Sequence, residues 1–190
     1  MKVFFTSSQR GKKFFIENYQ RIQAAIKNIP EVKLIEDDLL TEDPDVFYKK
    51  LHEGGQRAYI DFYQHELNSL KTADINIFDC SFHSLSIGFT IQRSLEINKP
   101  TIVLYEENNT PYFLTGIEEE KFIISAYNKN NLETIVVKTI KLAMDVRDKR
   151  FNFFIRPDLL NYITEISKRE DIPISVFLRN LILEHRKKNK

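Results

Sequence analysis

Lys2-Val3-Phe4-Phe5-Thr6 runs directly into Ser7-Ser8-Gln9-Arg10-Gly11-Lys12. An apolar run without polar alternation reads as a strand covered on both faces, as in a parallel sheet. The small, polar and basic residues after it end the strand. A helix is predicted over about 13–28, because Phe15, Tyr19, Ile22 and Ile26 recur at helical spacing. Pro30 stops it. A first strand feeding a helix through a loop of small residues is the opening unit of an α/β fold.

The rest of residues 1–146 repeats that unit. Strands are predicted at 32–35, 73–79, 101–105 and 122–124, and helices at 59–72, 84–98 and 132–146. Residues 36–57 are polar and hold Pro44, Gly54 and Gly55. They read as a long loop with one helical turn near Val46–Leu51, and long loops in compact domains are often lids or binding loops. The alternation predicts a Rossmann-like parallel sheet flanked by helices.

After Arg147-Asp148-Lys149-Arg150 the pattern changes. Residues 151–156 read as one strand. Pro157 opens a helix to Arg169, and a turn over 171–174 leads to Ser175, read as the N-cap of a helix ending near Lys187. One strand and two short helices cannot bury enough surface alone, so this segment requires a partner. The predicted division is 1–146 and 150–190.

The chain has 190 residues, 28 Lys+Arg, 27 Asp+Glu and a formal net charge of +1. The near-neutral total conceals an asymmetry. Residues 149–190 carry ten Lys/Arg against five acids, so the segment is +5 and the remainder −4. A basic terminal segment is the charge expected of a nucleic-acid-binding module. The single cysteine, Cys80, excludes an internal disulfide framework and a Cys-rich metal site. The N-terminal apolar run is shorter than the roughly 7–15 residues of a signal h-region. No run reaches the ~18 apolar residues of a membrane helix. The expectation is a cytoplasmic protein with no cofactor and no metal.

Three blocks carry a resemblance: KVFFTSSQRGKK at 2–13, HELNSLKTADINIFD at 65–79 and HSLSIGFTIQRSLEINKPTIVL at 83–104. Together they resemble the nucleoside 2-deoxyribosyltransferase-like family, and most of all its deoxynucleoside monophosphate N-glycosidase branch. Tyr127 is a weaker fourth match. The resemblance implies a nucleotide or nucleoside-like ligand, held by Ser7, Ser8, Arg10, Gly11, Tyr19, Asp79, Ser84 and Gly88. Independently of it, a small-residue loop before a helix N-terminus suits an anion.

The family's catalytic motif is Gly-x-Glu-x-Gly, and its glutamate stabilises or traps an oxocarbenium-like sugar. Here the stretch is Gly88-Phe89-Thr90-Ile91-Gln92. Thr90 therefore stands at the catalytic position, as a neutral hydroxyl in place of a carboxylate. Glu66 aligns with a second family acid and is the other candidate catalytic residue. His65 and His83 lie close to these blocks, and Glu96 reads as a surface charge.

Residues 150–187 resemble a ribbon-helix-helix DNA-binding module. In that family two chains pair their strands into a ribbon that enters the major groove. The resemblance implies a homodimer or higher symmetric oligomer, with Arg150, Asn152, Arg156 and Ser175 as the DNA-contacting candidates. The leading expectation is a DNA-binding regulator with a degenerate nucleotide-binding sensor domain. The alternatives are an active deoxyribosyltransferase or N-glycosidase using Glu66, and a structural dimer without ligand.

Overall fold

The computed structural model describes residues 1–35, 38–147 and 153–189. The chain divides into two compact units, Met1–Asp148 and Lys149–Lys190.

In the first unit five strands form one parallel sheet in the order β2-β1-β3-β4-β5. They are β1 (Lys2–Ser7), β2 (Lys33–Ile35), β3 (Ile75–Asp79), β4 (Thr101–Glu106) and β5 (Phe122–Tyr127). Helices α1 (Lys12–Lys27), α2 (Asp38–Thr41), α3 (Pro44–Thr72), α4 (Leu85–Glu96) and α5 (Leu132–Val146) alternate with them. This is a Rossmann-like α/β fold. Among the described residues no helix is long and apolar enough to cross a membrane.

The apolar strands are covered on both faces. Val3 and Phe5 point to one side, where Tyr19, Ile22 and Ile26 of α1 meet Val136 and Ile140 of α5. Phe4 points to the other, with Leu67 and Leu70 of α3 and Ile87 and Ile91 of α4. Each such buried side chain contributes about 1.5–3 kcal/mol.

The strand order reverses at β1, with β2 on one side and β3 to β5 on the other. In sheets of this kind the crevice outside the carboxyl ends of the two strands at the reversal is where ligands bind. Ser7 and Asp79, the last residues of β1 and β3, are register partners at that point. Asp74 sits at the opposite edge. Its carboxylate accepts from the Lys2 amide at 2.7 Å, next to Arg147.

Residues 36–57 were expected to be mostly loop, and this is corrected. Helix α3 begins at Pro44, capped by Asp43, whose Oδ1 accepts from the Asp45 amide at 2.8 Å. An acidic N-cap followed by proline at the first helical position is a strong start signal. The two glycines do not end the helix; they bend it at Gly55, where φ is 59° and ψ −149°. A straight helix would hold Phe47 and Phe62 roughly 22 Å apart, yet their ring centroids lie 5.3 Å apart, edge to face. The chain therefore folds back at Gly55 into two helical arms.

In the second unit α6 (Pro157–Glu170) is followed by α7 (Ile174–Lys188). Asp171 closes α6 in the left-handed conformation, φ 52°. Two expectations need correction here. Phe153–Arg156 take no regular structure, since a strand requires a hydrogen-bonded neighbour; the expected strand's first residues, 151 and 152, lie outside the described residues. Ser175 is not the N-cap: Pro173 holds that position in extended geometry, and its carbonyl accepts from the amides of Val176 and Phe177.

Candidate functional site

A cavity of about 450 Å³ opens at the carboxyl end of β1. Its floor is Thr6, Ser7 and Gln9, and its walls are Thr41 of α2, Glu42 just after it, and both arms of α3: Phe47 and Lys50 on one, Phe62, His65 and Glu66 on the other. Of the sequence candidates, only Ser7 and Glu66 line it. Ser7 is buried, and its hydroxyl donates to the Asp79 carbonyl at 3.0 Å. This bond ties β1 to β3 at the floor of the site.

The loop after β1 is folded on itself. The Gly11 amide donates to the Ser8 carbonyl at 3.0 Å, and the Lys12 amide donates to the Gln9 carbonyl at 3.2 Å. These two amides are thus engaged within the turn, and Ser8 is buried. Gly11 is required by packing. A Cβ there would stand 2.4 Å from the Tyr19 hydroxyl and 2.7 Å from Phe82 Cβ. Tyr19 is fully buried under this turn, beside Ser7, and its hydroxyl makes no hydrogen bond of good geometry.

The cations of the loop face the segment 42–48. Arg10 is exposed and lies over the Tyr48 ring at 5.3 Å. Lys12 is 5% exposed as a residue, and its ammonium donates to the Glu42 carbonyl. Its burial lowers its pKa, and the charges of Asp43 and Glu42 oppose that shift. Lys13 pairs with Asp45 at 3.1 Å, and Lys50 pairs with the Glu42 carboxylate.

Asp79 lies outside the cavity lining and is fully buried. Burial pushes its carboxyl up to about 6, against the hydrogen bonds from Tyr127 and from the Ser81 amide. Cys80, next to it, is buried and its thiol is pushed up by the same desolvation, consistent with a small core residue.

Ser84 and Gly88 fall in a second, mostly apolar cavity of about 600 Å³. His83, Leu85, Pro111, Tyr112 and Phe113 also line it. The Ser84 hydroxyl is 3.0 Å from that of Ser86.

Thr90 faces neither cavity. It is 9% exposed, and its hydroxyl donates to the carbonyls of Ser86 at 3.1 Å and Ile87 at 2.9 Å, on its own helix. A hydroxyl so bonded has no base to activate it. Glu96 is an exposed partner of Arg93. Of the resemblance's nucleotide-site residues, Ser7 lines the first cavity and Ser84 and Gly88 the second, while Ser8, Gly11, Tyr19 and Asp79 are buried outside both and Arg10 is exposed.

In the second unit Arg156 is exposed and its guanidinium donates to Asp158 at 3.1 Å, at the start of α6. Ser175 is the second residue of α7. Arg150 and Asn152 lie outside the described residues.

Sequence reasoning missed Gln9, Glu42, Phe47, Lys50 and Phe62 as wall residues. The signal for most of them was Asp43-Pro44, which starts the helix that carries Phe47 and Lys50. Fold and site together define a parallel α/β unit with a ligand-sized cavity of mixed polar and aromatic lining at its topological switch point. No protein-family model matches the chain, and no curated protein matches it.

Proposed function

We propose that the chain is a ligand-responsive DNA-binding regulator. Its α/β unit takes a nucleoside-like molecule without cleaving it, and its C-terminal unit binds double-stranded DNA as a ribbon-helix-helix dimer. The observation that carries the sensor reading is the position of Thr90, where the resembling enzymes place a glutamate. Its hydroxyl is spent on its own helix, while a cavity persists beside Ser7 and Glu66. Glu66 stays in the cavity wall, but the position that the resemblance gives to the attacking carboxylate is a neutral hydroxyl, and this favours a receptor over a hydrolase.

Support for the DNA module is the +5 charge of residues 149–190 and the apolar surface of the unit. Phe153, Phe154, Leu159, Leu160, Tyr162, Leu181 and Ile182 are all exposed in the single chain, and only Ile163 and Ile166 are buried among the described hydrophobics of this unit. A second copy that pairs its 151–156 segment with this one covers such a face.

A hydrolase that uses Glu66 is the second reading, favoured by the place of Glu66 in the cavity wall. Incubation with deoxynucleosides and their 5′-monophosphates separates the two. The receptor reading expects a thermal shift with no released base; a ligand at 100 times its Kd stabilises by about 2.7 kcal/mol. Base release that disappears in Glu66→Gln establishes the hydrolase instead. DNA binding is checked by anisotropy at two salt concentrations, where phosphate contacts make affinity fall steeply as salt rises.

A further inference from the structure

We propose that Glu42 is a specificity-determining residue that keeps phosphorylated ligands out of the cavity at the end of β1. The inference rests on the proposed reading of that cavity as a nucleoside-like site, and it concerns which member of that class is admitted.

Four cations belong to the loop and the cavity wall: Arg10, Lys12 and Lys13 at the loop and the start of α1, Lys50 in the wall. In sequence they promise an anion site. In the fold each is turned to a group between 42 and 48: Arg10 to the Tyr48 ring, Lys12 to the Glu42 carbonyl, Lys13 to Asp45 and Lys50 to the Glu42 carboxylate. The Gly11 and Lys12 amides are bonded within their own turn. These four cations and two amides are thus already engaged within the protein.

Glu42 acts on two of the four. Its carboxylate pairs with Lys50, and its negative charge also acts on the buried Lys12 ammonium. Apart from His65, the charged lining is Glu42, Glu66 and Lys50, two carboxylates against one ammonium. A dianionic phosphate entering this space meets net negative charge in a partly desolvated setting, where charge interactions are screened far less than in water. An uncharged nucleoside pays no such penalty. It also finds aromatic walls in Phe47 and Phe62, and the buried amide oxygen of Gln9, which has no hydrogen-bond partner.

The test is a specificity ratio measured by calorimetry on the full chain, with deoxyadenosine, thymidine, their 5′-monophosphates and inorganic phosphate as probes. The wild-type protein is expected to bind a nucleoside at least tenfold more tightly than its monophosphate. Glu42→Gln frees Lys50 and removes one negative charge from the wall, so that ratio is expected to fall at least tenfold. Lys50→Met is expected to move it the opposite way. Glu133→Gln, at the exposed pair with Arg21, makes the same change in net charge elsewhere and should leave the ratio alone. Equal ratios in wild type, Glu42→Gln and Glu133→Gln, with nucleoside binding intact, overturn the role of Glu42 and leave the site reading standing. Absence of binding by every probe to every variant overturns both.

Discussion

The hydroxyl of Tyr127, the last residue of β5, donates a 2.7 Å hydrogen bond to Oδ2 of Asp79, the last residue of β3. The bond crosses β4, which lies between the two strands. Oδ1 of the same carboxylate accepts from the Ser81 amide at 3.0 Å, and the Ser81 hydroxyl lies 3.1 Å from that of Tyr127. The amide of Glu106, the last residue of β4, donates to the Ser81 hydroxyl at 2.9 Å, so three strand ends are locked together.

That lock has a pH signature. Burial raises the Asp79 carboxyl to about 6 in the folded chain, against about 3.9 for a free aspartate. The folded state therefore binds the proton more tightly than the unfolded one. The cost of burying the charge is absent below about pH 4, grows through the interval and is complete above about pH 6. Tyr127→Phe removes a hydrogen bond that favours the ionised form. It is expected to destabilise by about 1–3 kcal/mol, with the larger loss at pH 8 and the smaller at pH 5. Urea midpoints of both proteins at the two pH values measure this; a larger loss at pH 5 would contradict the assignment.

Thr90 and Glu66 should separate cleanly. The Ser86 and Ile87 carbonyls that accept from the Thr90 hydroxyl sit in helix α4. Thr90→Val therefore strands no acceptor and should cost no more than about 1 kcal/mol. It should leave nucleoside affinity unchanged, because Thr90 lines neither cavity. Glu66→Gln changes the cavity wall itself and should alter nucleoside affinity with little effect on thermal midpoint. Calorimetry on the two variants decides; a loss of affinity in Thr90→Val would return that residue to the site.

The two residues also show what was legible in the sequence. The strand-helix alternation and the apolar spacing of α1, α4 and α5 fix the sheet, because burial on both faces leaves unbroken apolar runs such as Val3-Phe4-Phe5. Ser7 could be placed in the site because it closes β1, and Glu66 through the resemblance carried by residues 65–79. The walls could not, because Gly54-Gly55 reads as loop, whereas here it is a bend that brings Phe47 against Phe62. Side-chain direction was equally hidden. Thr90, expected at a catalytic position from the resemblance alone, turns into its own helix. Arg10, Lys12 and Lys13 look like an anion site until their partners at 42–48 come into place.

Glycines at two turns should fail for opposite reasons. Gly11 has an ordinary backbone, but a Cβ there meets Tyr19 and Phe82. Gly11→Ala is expected to cost about 1–3 kcal/mol through overpacking, and to weaken nucleoside binding because the Ser7–Lys12 turn shifts. Gly55 has open space around it, but its φ of 59° with ψ of −149° is a region reserved almost entirely for glycine. Gly55→Ala should cost about 1–3 kcal/mol of strain and splay the arm that carries Phe47 and Lys50. Denaturation midpoints with and without deoxyadenosine separate the effects. A Gly55→Ala chain as stable as wild type would mean that the bend at Gly55 is not held in the native state.

The C-terminal unit gives the sharpest test of assembly. Ile182 is 68% exposed on α7, so in a monomer Ile182→Glu is a surface change worth no more than about 0.5 kcal/mol. In a ribbon-helix-helix dimer the same position meets the partner copy, and a buried unpaired carboxylate there is strongly destabilising. Light scattering is then expected to show a dimer for wild type and a monomer for Ile182→Glu, with the thermal midpoint of the α/β unit unchanged. DNA affinity should collapse with the dimer. Arg156→Ala should instead keep the dimer and weaken binding evenly across DNA sequences, with the salt slope reduced by about one. A wild-type chain that scatters as a monomer and ignores DNA at low salt would leave the exposed apolar residues of α6 and α7 without the partner proposed for them.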